Sequence, residues 1–178
     1  MFLEGDFARS GERPEFRDVY AVFARSPKDR DARAVSHAAH WFNEPYDPRH
    51  DKLGRVVASE ARVLLDELGG EQDILYAVPT DKGFMCIGLA PNGGSHCGGS
   101  GPGGFDLAYS YDPKDSLLVY GMIGNDVVGV EVLVSGRTHV ARMGENGFAI
   151  RIKSGKPSEL GSVVLHYRDK PSETIELP

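Results

Sequence analysis

The chain has 178 residues, 40% of them hydrophobic and 26% charged, which is typical of a globular protein and argues against wholesale disorder. Its formal net charge is −6 and it contains no run of Lys or Arg, so we expect no nucleic-acid partner. No stretch approaches the roughly 18 apolar residues that span a bilayer, and the acidic start is not that of a signal peptide. We therefore expect no transmembrane segment in this chain.

The N-terminal part, residues 1–70, is predicted to be a helical segment. "DVYAVFARSP" is an apolar run that ends at a proline, as expected for a strand or an extended lead-in. "DRDARAVSHAAHWFN" is rich in alanine, has acids in its first turn and repeats apolar residues at spacings of three and four, which predicts an amphipathic helix. The two prolines of "EPYDPRHDKLG" indicate a loop.

The strongest helix prediction falls on "VVASEARVLLDELGG", residues 56–70. Leu64, Leu65 and Leu68 would face inward, and Gly69–Gly70 would end the helix.

Residues 71–178 are predicted to form a β-rich body. "DILYAVPT" and "GFMCIGLA", joined by "TDKG", predict a hairpin. After a glycine-rich tract come further β-type runs separated by turn signals: "FDLAYSY", "SLLVYGMI", "VVGVEVLV", "RTHVARM", "FAIRI", "SVVLHYR" and "TIEL". So many short strands favour an antiparallel sheet. The predicted fold class is α+β, with N-terminal helices packed on this body and an immunoglobulin-like or transthyretin-like sandwich from about Leu117 onward.

A series of short motifs occurs in the chain from residue 76 onward. They are "YAVPT" at 76–80, Cys86, Cys97, "YG" at 120–121, "NGF" at 146–148 and "YRD" at 167–169. Across roughly residues 60–178, this pattern resembles a module of uncharacterised envelope or secreted proteins of actinobacteria. Such modules often follow an N-terminal membrane segment, which this chain does not show. The resemblance implies exposure at the cell envelope, and it brings no catalytic motif.

The only two cysteines, Cys86 and Cys97, stand at either end of a turn-forming segment. A phosphatase-type loop would need an arginine six positions after Cys97, where Gly103 stands. A zinc site would lack a fourth ligand, because only His96 joins the two cysteines. The ten intervening residues can fold back, so we predict a Cys86–Cys97 disulfide and an oxidising compartment. The alternative is two buried free thiols in a cytosolic protein.

The glycine-rich segment is the predicted binding loop. "GSGPGG" has the spacing of a dinucleotide-binding loop, but a strand and not a helix is predicted after it, and Pro102 removes one amide donor, so nucleotide binding is not expected. The loop's polar side chains are the candidate binding residues, namely Asn92, Ser95, His96 and Ser100.

Three histidines form the alternative candidate site. His37 and His40 lie three apart on a predicted helix and can share a face, and His50 follows in the proline loop. Two imidazoles with a nearby carboxylate could hold a catalytic metal, although the adjacent Trp41 indicates that this segment packs on the core. The preferred prediction, a non-catalytic module, includes no cofactor.

These observations predict a non-catalytic binding or assembly module, secreted or exposed at the cell envelope if an upstream export segment was removed, and cytoplasmic otherwise. The expected partner is a protein or envelope component, or a second copy of the chain. One alternative is a metal-dependent hydrolase that uses His37, His40 and His50. Another is a structural subunit that self-associates through the edge of "TIEL".

Overall fold

The computed structural model of the chain describes residues 16–41, 53–69, 72–98, 104–112 and 116–177. The strands are preceded by the helices α1 (Phe16–Val19), α2 (Ala21–Ala24) and α3 (Asp31–Trp41). Short 3₁₀ turns occur at Ala58–Glu60 and Pro157–Glu159.

The strands follow in chain order. They are β1 (Arg62–Asp66), β2 (Gln72–Pro79), β3 (Met85–Pro91), β4 (Ser95–Gly98), β5 (Asp106–Asp112), β6 (Ser116–Met122), β7 (Val127–Val134), β8 (Arg137–Val140), β9 (Arg142–Met143), β10 (Gly147–Lys153), β11 (Leu160–Tyr167) and β12 (Glu173–Glu176). They build a first sheet of order β1-β2-β3-β4, a second of order β5-β6-β10-β9 and a third of order β12-β11-β7-β8. All neighbouring strands are antiparallel.

The elements stack in four layers, in the order α3, first sheet, second sheet, third sheet. Apolar side chains fill each gap: Ala38 with Val78 under α3, Leu75 with Leu118 between the first and second sheets, and a third cluster between the second and third. The last two sheets form a β-sandwich. The α+β class with an antiparallel β body is therefore confirmed.

The helix predicted for residues 56–70 is wrong. This segment contains one 3₁₀ turn and the strand β1, whose residues Arg62 to Leu65 are all buried. β1 lies between α3 and the second sheet, so both of its faces are covered. A strand buried on both faces has a continuous apolar run that periodicity alone does not distinguish from a helix.

Three other predictions have definite outcomes. The helix predicted for "DRDARAVSHAAHWFN" is confirmed as α3, whereas "DVYAVFARSP" forms the short helices α1 and α2 and not a strand. "RTHVARM" is two strands, because the chain passes from the third sheet to the second at Ala141. Most of the loop predicted at 44–54 lies outside the described residues.

Candidate functional site

A disulfide joins the third and fourth strands of the first sheet, of which the fourth is an edge strand. Cys86 of β3 and Cys97 of β4 lie directly opposite each other, with their Cα atoms 4.0 Å apart. Cys86 is fully buried, and both cysteines belong to the cluster beneath α3. Since β4 is an edge strand of four residues, the bond ties a short strand to the core. The predicted disulfide is confirmed.

The turn between β3 and β4 requires glycine. The Leu89 N–H donates to the Gly94 carbonyl at 3.2 Å, which closes the turn. A Cβ atom at Gly93 would lie 2.1 Å from the Leu89 Cβ, closer than any allowed contact, so a side chain at this position would force the turn open. The local sequence "APNGG" therefore sets the geometry that brings the cysteines together.

Two of the four predicted binding residues lie on β4. Asn92 is exposed at the turn before β4, and Ser95 and His96 are half-buried on the strand itself. Ser100 lies outside the described residues. Four residues in a strand extend about 10 Å from first to last, and Asn92 lies three positions before the first of them. The candidate surface is thus an edge strand with the residues that adjoin it in the chain, and not one loop.

His96 forms an ionic contact between two sheets. Its Nε2 lies 3.5 Å from the Oδ1 of Asp106, the first residue of β5, and the two side chains are only 21% and 12% exposed. Asp106 raises the pKa of His96, which outweighs the lowering caused by burial. Cys97 faces α3 and its neighbour His96 faces the second sheet, as strand alternation requires.

Tyr120 lies near this pair on β6. It is only 2% exposed, and burial, together with the negative charge of Asp106, raises the pKa of Tyr120 to about 12. Tyr120 is therefore neutral at physiological pH. Asp106 was not among the binding residues predicted from the sequence.

The His96–Asp106 contact predicts a pH dependence of stability. The pKa of His96 is higher in the folded than in the unfolded state, so its contribution is complete below the unfolded pKa of about 6.5. The contribution is lost as the pH rises through the folded-state pKa. We expect the urea concentration at the unfolding midpoint to decrease as the pH is raised from 6 to 8.5. The variant His96→Asn should lack the part of this decrease that is due to the contact.

His40→Asn is the matched control, because His40 is exposed on α3. This variant should show the same pH dependence of the urea midpoint as wild type. Equal pH profiles for wild type and His96→Asn would show that the contact contributes nothing to folding.

His37 has a structural role at the surface of the first sheet. Its Nδ1 is 2.9 Å from the Tyr76 hydroxyl and its Nε2 is 3.0 Å from the Pro91 carbonyl oxygen. Tyr76 is fully buried, and burial raises the pKa of its hydroxyl. A metal bound to His37 would have to replace one of these hydrogen bonds.

The predicted metal ligands are not assembled in the described part of the chain. His40 is exposed on α3, and His50 lies outside the described residues. Among the residues that the structure describes, no three His, Cys, Asp or Glu side chains are grouped to hold a metal ion. The metal site stays a prediction.

Replacing His37 by alanine should lower the free energy of unfolding by about 2 kcal/mol, because it leaves the buried Tyr76 hydroxyl without its hydrogen bond. Chemical denaturation measures this, with His40→Ala as the control that should change stability by less than about 0.5 kcal/mol. Adding Tyr76→Phe to the His37→Ala variant should recover part of the loss. A chelator that destabilises wild type but not His37→Ala would instead show a metal at this histidine.

A second polar cluster fixes α3 to the body. Asp31 is 1% exposed and accepts hydrogen bonds from the N–H groups of Lys28 and Val63, at 2.7 and 2.8 Å. Its carboxylate also pairs with Arg25 at 2.6 Å, and Arg25 in turn pairs with Glu145. Burial alone would raise the pKa of Asp31, but these donors together lower it to about 2. The sequence marks Asp31 only as an acid in a first helical turn.

No protein-family model matches the chain, and no curated protein or solved structure is significantly similar to it. Among the described residues, no helix is both long and apolar enough to cross a membrane.

Proposed function

We propose that this protein is a non-catalytic binding module, secreted or exposed at the cell envelope, whose binding surface is β4 with the residues that precede and follow it in the chain. The observation that carries the proposal is the Cys86–Cys97 disulfide, which fixes an edge strand to the core at the place where the candidate binding residues lie.

The disulfide supports the proposed secreted or envelope-exposed location. Structural disulfides persist in oxidising environments and are rare in the reducing cytosol of most organisms. The resemblance of the motif pattern to envelope modules of actinobacteria agrees with this assignment.

The chemistry of β4 supports binding of a polar partner. An edge strand presents backbone N–H and C=O groups to a partner chain, and β4 is the last strand of the first sheet. Asn92 and Ser95 add neutral donors and acceptors beside it. Because the strand is already fixed by the disulfide, little conformational entropy is lost when a partner binds. A protein or peptide-containing envelope component matches these features.

The test is co-sedimentation with isolated cell-envelope fragments from the organism that makes the protein. The variant Asn92→Ala/Ser95→Ala/Ser100→Ala should bind at least tenfold more weakly than wild type. Equal binding of the variant and wild type would rule out β4 as the binding surface.

The control variant is Ser26→Ala/Ser36→Ala/Ser59→Ala, which removes the same number of polar groups from exposed positions elsewhere. It should bind as wild type does. Thermal unfolding of both variants shows whether the fold is retained.

A further inference from the structure

The third sheet has two edge strands of different character. β8 and β12 lie at its opposite edges, and in the described part of the chain each pairs with one strand only. Both are exposed: Arg137, Thr138 and Val140 on β8, and all residues of β12 except the half-buried Ile175. The Val140 side chain is 73% exposed, which is high for a large apolar residue. Such edges can pair with another strand.

The charges of the two edges are complementary. β8 carries Arg137 and His139 and no acid, whereas β12 carries Glu173 and Glu176 and no base. Pairing of β12 with another β12 would place glutamates near glutamates, and like charges opposite each other destabilise a sheet. Pairing of β8 with β12 brings opposite charges together. The charges thus favour pairing of β8 with β12 over pairing of two β12 strands or of two β8 strands.

The strand directions allow β8 of one molecule to pair with β12 of another when both molecules have the same orientation. Three antiparallel steps separate β12 from β8, so the two strands run in opposite directions within one molecule. A second molecule in the same orientation therefore places its β12 antiparallel to the β8 of the first. The third sheet would then continue from one molecule into the next.

Side-chain alternation also permits a suitable register. His139 lies opposite Val132 and Glu173 lies opposite Leu165, so both are on the core-facing side of the sheet. Residues paired across a continuous sheet must share a face. A register that pairs His139 with Glu173 meets this condition, and it also pairs Thr138 with Thr174 on the outer face.

We propose that the partner of the third sheet is a second copy of this chain, with β8 of one molecule paired to β12 of the next. The contact is head-to-tail, so it leaves one edge of each kind open and can extend into an array. This assembly goes beyond binding at β4 and does not depend on it, because β4 belongs to a different sheet.

Sedimentation velocity over a concentration series at low salt tests the proposal. The weight-average sedimentation coefficient of wild type should rise with concentration. Arg137→Glu and Glu173→Lys/Glu176→Lys should each weaken self-association at least tenfold, because each variant carries the same sign of charge on both edges.

Mixing the two variants should restore association, since the edges are again complementary between molecules. Lys153→Glu makes the same charge change as Arg137→Glu at an exposed position of the second sheet, and it should associate as wild type does. A wild type that stays monomeric throughout the series would overturn the proposal. Charge-reversed variants that associate as strongly as wild type would overturn it too.

Discussion

The variant Asp31→Ala is expected to lower the free energy of unfolding by about 3 kcal/mol, the effect of removing one partner from a buried ion pair. It removes the acceptor for two backbone N–H groups, one of which, that of Val63, is buried. It also leaves the Arg25 guanidinium, only 18% exposed, with Glu145 as its remaining carboxylate partner. Chemical denaturation at neutral pH measures the loss.

Asp29→Ala is the matched control, because Asp29 is exposed two residues earlier. It should cost less than about 1 kcal/mol. The pH gives a second check: the pKa of Asp31 is lowered from 3.8 to about 2, so its contribution is complete above pH 3.8 and is lost as the pH falls through 2. The difference between wild type and Asp31→Ala should therefore shrink in acid. Equal losses for both variants at neutral pH would contradict the role assigned to Asp31.

Removing the disulfide is expected to cost about 3 kcal/mol, the loop-entropy value for a short closed segment. The double variant Cys86→Ala/Cys97→Ala tests this directly by urea denaturation. Cys86 is fully buried, so alanine is the better substitute because it introduces no buried hydroxyl.

Reduction gives an independent measurement of the same quantity. A reductant should lower the urea midpoint of wild type and leave the double variant unchanged. If mass spectrometry shows wild type fully reduced and its midpoint has not moved, the disulfide does not stabilise the fold.

The disulfide and the outline of the β body were predictable because their determinants are local. The turn sequence between β3 and β4 folds the chain back within a few residues and brings Cys86 opposite Cys97. Strand alternation then places His96 on the face opposite Cys97. Short-range rules of this kind need only the neighbouring residues.

The helix assigned to residues 56–70 was wrong for a reason outside that segment. Val63, Leu64 and Leu65 are all buried because α3 covers one face of β1 and the second sheet covers the other. Only the tertiary arrangement tells a strand of this kind from a buried helix.

The polar contacts across layers were not predictable either. Arg25 and Glu145 are 120 positions apart in the chain and meet only after the sheets have stacked. Asp106 is closer to His96 in sequence, but it belongs to another sheet, and the glycine-rich tract between them has no pattern that fixes their distance. Neither contact has a sequence motif.

The state of Cys86 and Cys97 in the cells that make the protein tests the central claim most directly. Cells are quenched in acid, and the protein is alkylated in denaturant before and after reduction and analysed by mass spectrometry. A disulfide-bonded binding module in an oxidising compartment predicts that neither cysteine is alkylated until the protein is reduced. Alkylation of both cysteines without reduction would contradict the compartment and, with it, the proposed function.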